Sequence, residues 1–468
     1  MSEIIRWSAA RTVRHLKARD VSAVEVVQAH LDRLDAINPK LNAVVDMVPD
    51  ALERARAIDT GTLPAGLLAG APITTKINAD QAGLATTNGV AAFANNIAPA
   101  DSPLLHNLKE AGAVVIGRTN TPELSLRWCT SNPLHGMSLS PWGEQITPGG
   151  SSGAAAAAVA SGIGVIAHGN DVGGSLRYPA YCCGLASLRP SRGRIPTYNP
   201  SAKSERPPVF DRMSVHGPIA RTVEDVQLGL SAMRGFSADD PGWTSARAYG
   251  RERKRGPVRI GIAMDGFSMS PHAEVTAAMT RATEAARAAG CILTPVDLPN
   301  TARMSEIWGQ LIFTEIAHFY ATAVNEYISD DARRWVRDFS DHFGTLDLPG
   351  YMDALAERSL HQRAWAHMFD DLDAVLMPVS LQPPFANNLD FDAPDKAGWM
   401  IDAQAPLYVV NLIGLPALAL PTHVADGVPS GVQLVGPMHD DDRVLSIGAM
   451  LERELGTVLG DIPQAFRL

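Results

Sequence analysis

The stretch that decides the fold runs from Thr147 to Pro179 and reads TPGGSSGAAAAAVASGIGVIAHGNDVGGSLRYP. It opens on a Gly-Gly-Ser-Ser-Gly turn around Ser151, continues through an alanine-rich segment, and closes on a Val-Gly-Gly-Ser sequence ending at Ser175. Glycine beside a reactive side chain indicates that the backbone approaches another group closely, or takes a conformation that a Cβ would forbid. Because this pattern occurs twice, about one helix apart, we interpret the two serines as parts of one site.

The length, composition and net charge of the chain limit the classes of protein to which it can belong. The chain has 468 residues, of which 46% are hydrophobic and 19% charged, which fits a large buried core and a modest surface. The net charge of −10 argues against nucleic-acid binding. The basic run Arg251–Arg255 is interpreted as a solvated linker. The cysteines show no disulfide or zinc spacing, so we expect packed thiols in a reducing compartment; they are Cys129, Cys182, Cys183 and Cys291.

The sequence shows no targeting or membrane segment. The start, MSEIIRWSAARTV, lacks the charged region, apolar core and cleavage site of a signal peptide. The longest apolar run, Ala154–Ala167, is too short and too often interrupted by glycine to span a bilayer. We therefore expect a cytoplasmic protein that does not bind membranes.

Helix and strand patterns alternate along the chain, which is typical of an α/β fold. Ser22 and Glu25 form a capping box before apolar residues at helical spacing. A short strand-like run delivers Lys76 into a polar loop. Without an internal repeat or a clear linker, we expect one domain over residues 1–468, with the catalytic core at about 70–225 and a helical segment at about 304–370 that covers the substrate.

Three chemistries compete for the two serines. A phosphate-binding loop requires G-x-x-x-x-G-K-S/T, or G-x-G-x-x-G between a strand and a helix, and neither is present. A nucleophile elbow matches G-x-S-x-G at Ser151, but Pro141 and Pro148 lie where the preceding strand should be. Its histidine would have to be His423 or His439, and neither stands out. An esterase of the α/β-hydrolase type is therefore the weakest alternative.

The third chemistry uses Lys76 as a base. A lysine amine accepts a proton from a serine only when it is neutral, which requires its pKa to fall from about 10.4 to about 7–8. Burial away from carboxylates lowers the pKa in this way. Ser151 would then relay the proton from Ser175 to Lys76, and the successive N–H groups of Val172–Ser175 would meet the developing oxyanion.

These residues resemble the amidase signature family of Ser-cisSer-Lys hydrolases. The central stretch matches that family's G-G-S-S-G…D-x-G-G-S pattern, and Lys76 lies in its P-x-x-x-K context. Similar segments extend over nearly the whole chain, among them GRTNTPEL and NPLHGMSLSPWG before the serines and GPIARTVEDV, NLIGLPALALP and GVQLVGP after them. The resemblance implies an α/β/α sandwich around a large mixed, twisted sheet. It also implies an amidase that hydrolyses linear or cyclic carboxamide C–N bonds other than peptide bonds, with no metal or organic cofactor.

The resemblance also implies a role for each matching residue. Ser175 is expected to be the nucleophile that forms an acyl-enzyme. Ser151, after a cis Gly150–Ser151 bond, is expected to be the proton shuttle, and Lys76 the general base and then the acid. The oxyanion hole is expected to consist of the backbone N–H groups of Val172, Gly173, Gly174 and Ser175.

Several further residues are expected to support this site. Asp171 and Arg177 should hold the loop in place. Asn170 stands where many members have threonine, which affects loop detail rather than catalysis. Trp128 and Cys129 are candidates for lining the acyl pocket, with inert packing as the alternative for Cys129.

Two residues near the serines invite other roles. Ser152 is expected to make a turn hydrogen bond rather than to act as a catalytic partner. His168 is expected to be a satisfied core histidine rather than a triad member. Substrate specificity should lie in the variable segments 128–137, 199–215 and 304–370. Their aromatic side chains suggest a partly apolar acyl or amine group; the aromatic residues in the last segment are Trp308, Phe313, Phe319, Tyr320 and Trp335.

A functional alternative comes from the same resemblance. The chain also resembles the amidase component of tRNA-dependent amidotransferases, which would release ammonia from glutamine only with a partner subunit. For the free enzyme we expect a small-molecule amide as the substrate and no nucleic acid, and we allow for a homodimer.

Overall fold

The computed structural model describes residues 3–245 and 256–467, and the basic run Arg251–Arg255 lies outside these ranges. The strands are β1 (Val44–Met47), β2 (Pro72–Lys76), β3 (Val114–Thr119), β4 (Ser131–Asn132), β5 (Gly136–Met137), β6 (Ile166–Asp171), β7 (Ala186–Arg189), β8 (Val215–Ala220), β9 (Arg259–Ile262), β10 (Ile292–Pro295), β11 (Ala374–Pro378), β12 (Ala417–Ala425) and β13 (Val428–Val435).

The α-helices lie between these strands along the chain. They are α1 (Ala9–Ala18), α2 (Ala23–Leu41), α3 (Ala51–Asp59), α4 (Pro103–Glu110), α5 (Gly153–Ala160), α6 (Arg177–Cys183), α7 (Pro208–Met213), α8 (Val223–Met233), α9 (Ala273–Ala288), α10 (Thr301–Phe319), α11 (Asp330–Phe343), α12 (Leu348–Met368), α13 (Leu389–Asp392), α14 (Ala397–Ala403), α15 (Ala405–Ile413) and α16 (Asp441–Leu455).

Eleven of the described strands form one mixed sheet. Their order is β1-β3-β2-β6-β8-β7-β12-β13-β11-β9-β10, and β4 and β5 pair separately. Strand β2 is parallel to both β3 and β6, whereas β8 is antiparallel to β6 and β7. The expectation of a large mixed sheet in an α/β fold is confirmed.

Helices cover both faces of this sheet. Successive strand residues point to opposite faces. Along β12, Leu418 and Leu420 join a core with α9 and α16 residues, whereas Ala417 and Ala419 join a second core with α10 and α15 residues. The three layers are therefore helices, sheet and helices. Since one sheet links strands from both ends of the described chain, we propose that the protein is a single domain.

Local sequence signals account for the helices that frame the site. The predicted capping box is present, because Ser22 Oγ accepts the Glu25 N–H at 3.1 Å and the Glu25 carboxylate accepts the Ser22 N–H at 2.8 Å. In α5 every residue is buried, and its five consecutive alanines, Ala154–Ala158, are 0% exposed. Small side chains all round let this helix pack closely on β6 and α6, so it holds the Ser151 turn at its start against the strand and the helix that flank Ser175.

The sequence predicts no membrane-spanning segment and packed cysteine thiols. Among the described helices, none combines the length and the apolar composition that crossing a bilayer requires. All four cysteines are buried and carry free thiols.

Candidate active site

The sheet brings Lys76 next to the end of the central stretch. Strands β2 and β6 are adjacent and parallel, with Ile73 opposite Ile166 and Thr74 opposite Ala167. Parallel strands end at the same edge of a sheet. Lys76 is the last residue of β2, and its Nζ lies 2.6 Å from Oδ1 of Asn170 near the end of β6.

Three side-chain oxygens surround the amine of Lys76. Its Nζ lies 2.7 Å from Ser151 Oγ and 3.2 Å from Ser152 Oγ, in addition to the contact with Asn170. Lys76 is fully buried, and burial lowers its pKa well below the ordinary value, with the charge of Asp171 opposing this shift. A buried amine without a direct carboxylate partner has the properties of a general base.

The turn that carries Ser151 depends on glycine. The Gly150–Ser151 peptide bond is cis, and Gly149 has φ +87°. A Cβ on Gly150 would lie 2.6 Å from the carbonyl carbon of Trp128, so no larger residue fits without backbone movement. The Gly149 carbonyl accepts a hydrogen bond from Thr130 Oγ1 at 2.9 Å. These contacts direct the Ser151 hydroxyl to the Lys76 amine.

The serine loop, defined as Asp171–Ser175, offers fewer N–H groups than the sequence predicts. Among the described residues, the N–H groups of Val172, Gly173 and Ser175 have no acceptor. The Gly174 N–H instead donates to Asp171 Oδ1 at 2.9 Å. The Gly174 N–H is therefore engaged in this conformation, because the short Asp171 side chain folds back onto the loop, and the oxyanion role of Gly174 stays a prediction. Three N–H groups remain available for an oxyanion.

Asp171 holds the loop from within. Its carboxylate accepts the Gly174 N–H and the Leu176 N–H, two Arg177 donors at 3.1 Å each, and Asn411 Nδ2 at 2.8 Å. Burial alone raises the pKa of this carboxyl, but Arg177, Arg189 and Asn411 outweigh burial and lower the pKa below its ordinary value. Asp171 is thus a charged residue that receives hydrogen bonds from the loop and from Arg177.

Ser175 is placed on this anchored loop with its hydroxyl uncommitted. It is 6% exposed, and among the described residues its Oγ makes no hydrogen bond. The structure therefore joins Ser151 to Lys76 by a hydrogen bond but does not join Ser175 to Ser151 in the same way. Such contacts are often long in ligand-free sites and shorten when substrate is bound.

Two indoles fix the outer side of the serine loop. Trp308 Nε1 donates to the Val172 carbonyl at 2.9 Å, and Trp128 Nε1 donates to the Gly173 carbonyl at 3.4 Å. Trp308 in turn stacks on Tyr408, with ring centroids 4.1 Å apart. The indoles thus hold the carbonyls of Val172 and Gly173, and the N–H groups of the same two residues have no acceptor among the described residues.

Gly174→Ala is expected to lower both stability and turnover. Gly174 has φ +101°, and an added Cβ would collide with the side chain of Leu407. We expect a stability loss of about 2–4 kcal/mol from backbone strain and overpacking, and a fall of at least about tenfold in kcat/KM because the loop must move. Thermal unfolding and amide turnover check this.

Gly83→Ala is the matched control for that substitution. Gly83 has φ +79°, but nothing lies within 4 Å of its added Cβ. It should cost only about 1–2 kcal/mol of stability and leave kcat/KM within about twofold. Equal behaviour of the two variants would show that the Leu407 contact is unimportant.

A cavity of about 690 Å³ opens beside the serine loop. Asn170 and Val172 of the central stretch line it, whereas Ser151 and Ser175 do not. Most of its wall comes from residues 197–216 and 239–242. This places the second predicted variable segment, 199–215, at the cavity.

Other predicted pocket residues lie elsewhere. Cys129 Sγ accepts the Asn388 N–H at 3.3 Å and does not line the cavity. Trp128 does not line it either, and packs in an aromatic cluster. Of the aromatic residues predicted in 304–370, only Tyr320 lines the cavity, Phe319 is exposed, and the rest are buried; the buried ones are Trp308, Phe313 and Trp335. These rings fill the space behind the serine loop.

Sequence reasoning missed or underrated three side chains. Ser152, expected to make only a turn hydrogen bond, contacts the Lys76 amine. Asn170 contacts the same amine rather than only supporting the loop. Asn78, two positions after Lys76, donates to Asn170 Oδ1 at 3.2 Å. A signal for Asn78 was available, since it lies two positions after the end of the strand-like run that delivers Lys76.

His168 is confirmed as a core histidine. It is fully buried, and its Nδ1 accepts the backbone N–H of Lys76 at 3.3 Å. Burial lowers its pKa well below the ordinary value, aided by His216 and Lys76. It therefore positions the Lys76 backbone and is not placed to act as a triad base.

The chain is similar to known proteins over nearly its whole length. The family model described as Amidase matches residues 25–445. An indoleacetamide hydrolase from Bradyrhizobium diazoefficiens is 40% identical over 460 residues, which cover 97% of this chain and 87% of that protein. A glutamyl-tRNA(Gln) amidotransferase component from Carboxydothermus hydrogenoformans is 30% identical over 96% of this chain and 98% of its own length.

Solved structures show the same architecture. A bacterial aryl acylamidase of the amidase signature family has a TM-score of 0.83 at 26% identity, covering 97% of both chains. A 6-aminohexanoate cyclic dimer hydrolase has a TM-score of 0.84 at 23% identity, covering 100% of both chains. The second likeness bears on the fold alone.

Proposed function

The chain belongs to the amidase family and is an amide hydrolase acting on C–N bonds other than peptide bonds, and we propose that it works through an acyl-enzyme on Ser175. The observation that carries this proposal is the 2.7 Å contact between Lys76 Nζ and Ser151 Oγ at a fully buried lysine.

The partners of Lys76 match the hydrogen-bonding capacity of a neutral amine. A neutral amine has two N–H donors and one lone pair. Asn170 Oδ1 is an acceptor only, and Ser152 Oγ lies at 3.2 Å as a second acceptor. The lone pair is then left for the Ser151 hydroxyl, which donates to it. This arrangement supports Lys76 as the base.

The proposed reaction moves one proton through Ser151 in each direction. As Ser175 Oγ attacks the amide carbon, its proton passes to Ser151 Oγ while the Ser151 proton passes to Lys76 Nζ. The protonated Lys76 then returns a proton through Ser151 to the leaving nitrogen, and the C–N bond breaks. Water attacks the remaining ester by the same relay, which releases the carboxylic acid and restores Ser175.

The free N–H groups of the serine loop support the oxyanion role. Val172, Gly173 and Ser175 would donate to the negative oxygen, each such donor being worth roughly 10²–10³ in kcat. Because the indoles of Trp308 and Trp128 already fix the loop carbonyls, little reorganisation is needed when this charge develops.

The substrate is proposed to be a small-molecule amide with a partly apolar body. Phe210 and Tyr320, with ring centroids 5.3 Å apart, form an aromatic wall of the cavity. The relative named as an indoleacetamide hydrolase supports an aryl-bearing amide in this cavity.

A substrate panel with the isolated chain tests this function. The panel contains indole-3-acetamide, acetanilides, linear and cyclic aliphatic amides, hydrazides and glutamine. We expect acid and amine or ammonia from at least one simple amide, and transfer of the acyl group to added hydroxylamine through the acyl-enzyme. Hydrolysis of glutamine alone, and only with a partner subunit, would instead support the amidotransferase role. No turnover of any amide would contradict the proposal.

Two further expectations concern the cellular compartment and the oligomeric state of the enzyme. We propose a reducing compartment, which the four buried free thiols support. A homodimer stays a prediction.

A further inference from the structure

One arginine in the cavity wall has no partner among the residues that the structure describes. Arg206 lines the cavity and is half-buried. Within residues 3–245 and 256–467, its guanidinium makes no hydrogen bond and no ion pair. Arginine carries five N–H donors and stays charged, so an arginine of a cavity wall without a protein partner can offer these donors to a ligand. The missing partner is therefore a property of this site that needs an explanation.

The nearest acidic side chains are committed to a different arginine. Arg192 Nη2 lies 2.9 Å from Asp211 Oδ1 and 3.3 Å from Asp240 Oδ1. Asp240 also accepts the N–H and the hydroxyl of Thr197 at 2.8 and 3.0 Å. The remaining charged side chains of the wall are exposed to solvent; they are Lys203, Glu205 and Asp239. The described part of the chain thus places no carboxylate in direct contact with Arg206.

A second donor faces the same cavity. The Lys76 N–H donates to His168 Nδ1, so the proton of the neutral His168 ring is on Nε2. That proton is donated to His216 Nδ1 at 2.8 Å. Burial, and the charge of Arg206 next, lower the pKa of His216 to about 3, so its ring is neutral with its proton on Nε2. His216 lines the cavity, and its Nε2–H has no acceptor among the described residues.

The backbone after Arg206 is held in place. Glu315 of α10 accepts the N–H of Val209 at 2.7 Å and that of Phe210 at 3.0 Å. Tyr351 also donates its hydroxyl to Glu315 at 2.8 Å. Such anchoring reduces the ordering cost when a ligand binds, so Arg206 is presented to the cavity rather than left on a mobile loop.

We propose that Arg206 and His216 form a carboxylate subsite, so that this enzyme prefers amides whose body carries a carboxylate group beyond the aromatic wall. A carboxylate has two oxygens and accepts from a guanidinium and from a ring N–H at the same time. The subsite rests on the proposed function, since the bound carboxylate belongs to the amide that is cleaved. It assigns specificity to residues outside the predicted catalytic set.

Matched pairs of amides test the subsite. The pairs are 4-carboxyphenylacetamide with phenylacetamide, and the monoamides of glutaric and adipic acid with pentanamide and hexanamide. The wild-type enzyme should have the higher kcat/KM for at least one carboxylated member. In Arg206→Gln the ratio of carboxylated to neutral kcat/KM should fall by about 10- to 100-fold, as expected for a lost charge-assisted hydrogen bond. Arg206→Lys should give an intermediate ratio, because it keeps the charge without the planar fork.

Lys203→Gln is the matched control, because it removes a solvent-exposed cation from the same wall. It should change the ratio by less than about threefold. The subsite is refuted if the wild-type enzyme favours every neutral amide, or if Arg206→Gln lowers both members of each pair equally. If no amide is cleaved, the proposed function fails, and calorimetric binding of glutarate decides about the subsite. Binding that is lost in Arg206→Gln supports it, and no binding to the wild type refutes it.

Discussion

Ser175→Ala is expected to lower kcat for amide hydrolysis by a factor of about 10⁴ or more while leaving the fold intact. Without Ser175 Oγ no acyl-enzyme forms, and the loop N–H groups with bound water supply only residual catalysis. Since this Oγ makes no hydrogen bond among the described residues, its loss should change unfolding free energy by less than about 1 kcal/mol. Steady-state kinetics and thermal unfolding check both parts.

Ser204→Ala is the control for this substitution. Ser204 is an exposed serine of the cavity wall, so its removal should leave kcat within about twofold. Mass spectrometry after rapid quenching should find the acyl adduct on the peptide containing Ser175 in the wild type. Appreciable turnover in Ser175→Ala, or an adduct on another serine, would contradict the assignment.

Lys76→Met is expected to cost about 10³-fold or more in kcat/KM. Methionine keeps the length of the side chain but removes the amine that contacts Ser151 Oγ at 2.7 Å, so the relay has no proton acceptor. The exposed Lys40→Met, at the end of α2, should leave kcat/KM unchanged. Circular dichroism should show both variants folded.

The pH profile of the same enzyme reports on Lys76. The base must be neutral, so kcat/KM rises as pH rises through the pKa of Lys76. Because burial lowers that pKa, the acidic limb should lie well below the ordinary lysine value of about 10.4. This limb should be absent from the residual activity of Lys76→Met. An unchanged limb in that variant would mean that another group is the base.

Much of the site could be predicted from the central stretch, because its glycines and serines act locally. Ser151 directly precedes α5, and Ser175 follows the next strand, β6. The amine of Lys76 contacts both Ser151 and Asn170, so the start of α5 and the end of β6 lie together. Lys76 was predictable as the end of a strand. The contact between Lys76 and Asn170 was not, because it arises only from the parallel pairing of β2 with β6.

The residues that sequence reasoning misplaced depend on long-range packing. The sequence of 304–370 does not show whether an aromatic side chain lines a cavity or fills the space behind a loop. Trp308 is buried because it stacks on Tyr408, which is one hundred positions away in the chain. The engagement of the Gly174 N–H could not be predicted, because the sequence does not show that the Asp171 carboxylate accepts this donor. Arg206 stood out only once the partners of Arg192 were known.

The indole of Trp308 connects the helical covering layer to the chemistry itself. Its ring nitrogen, carried by α10, is hydrogen-bonded to the Val172 carbonyl of the loop that we propose as the oxyanion site. Divergence of this layer among relatives would therefore alter acyl preference and catalytic rate together. Selection for a new amide thus acts on both properties through one helix, while the reacting serines and lysine stay as they are.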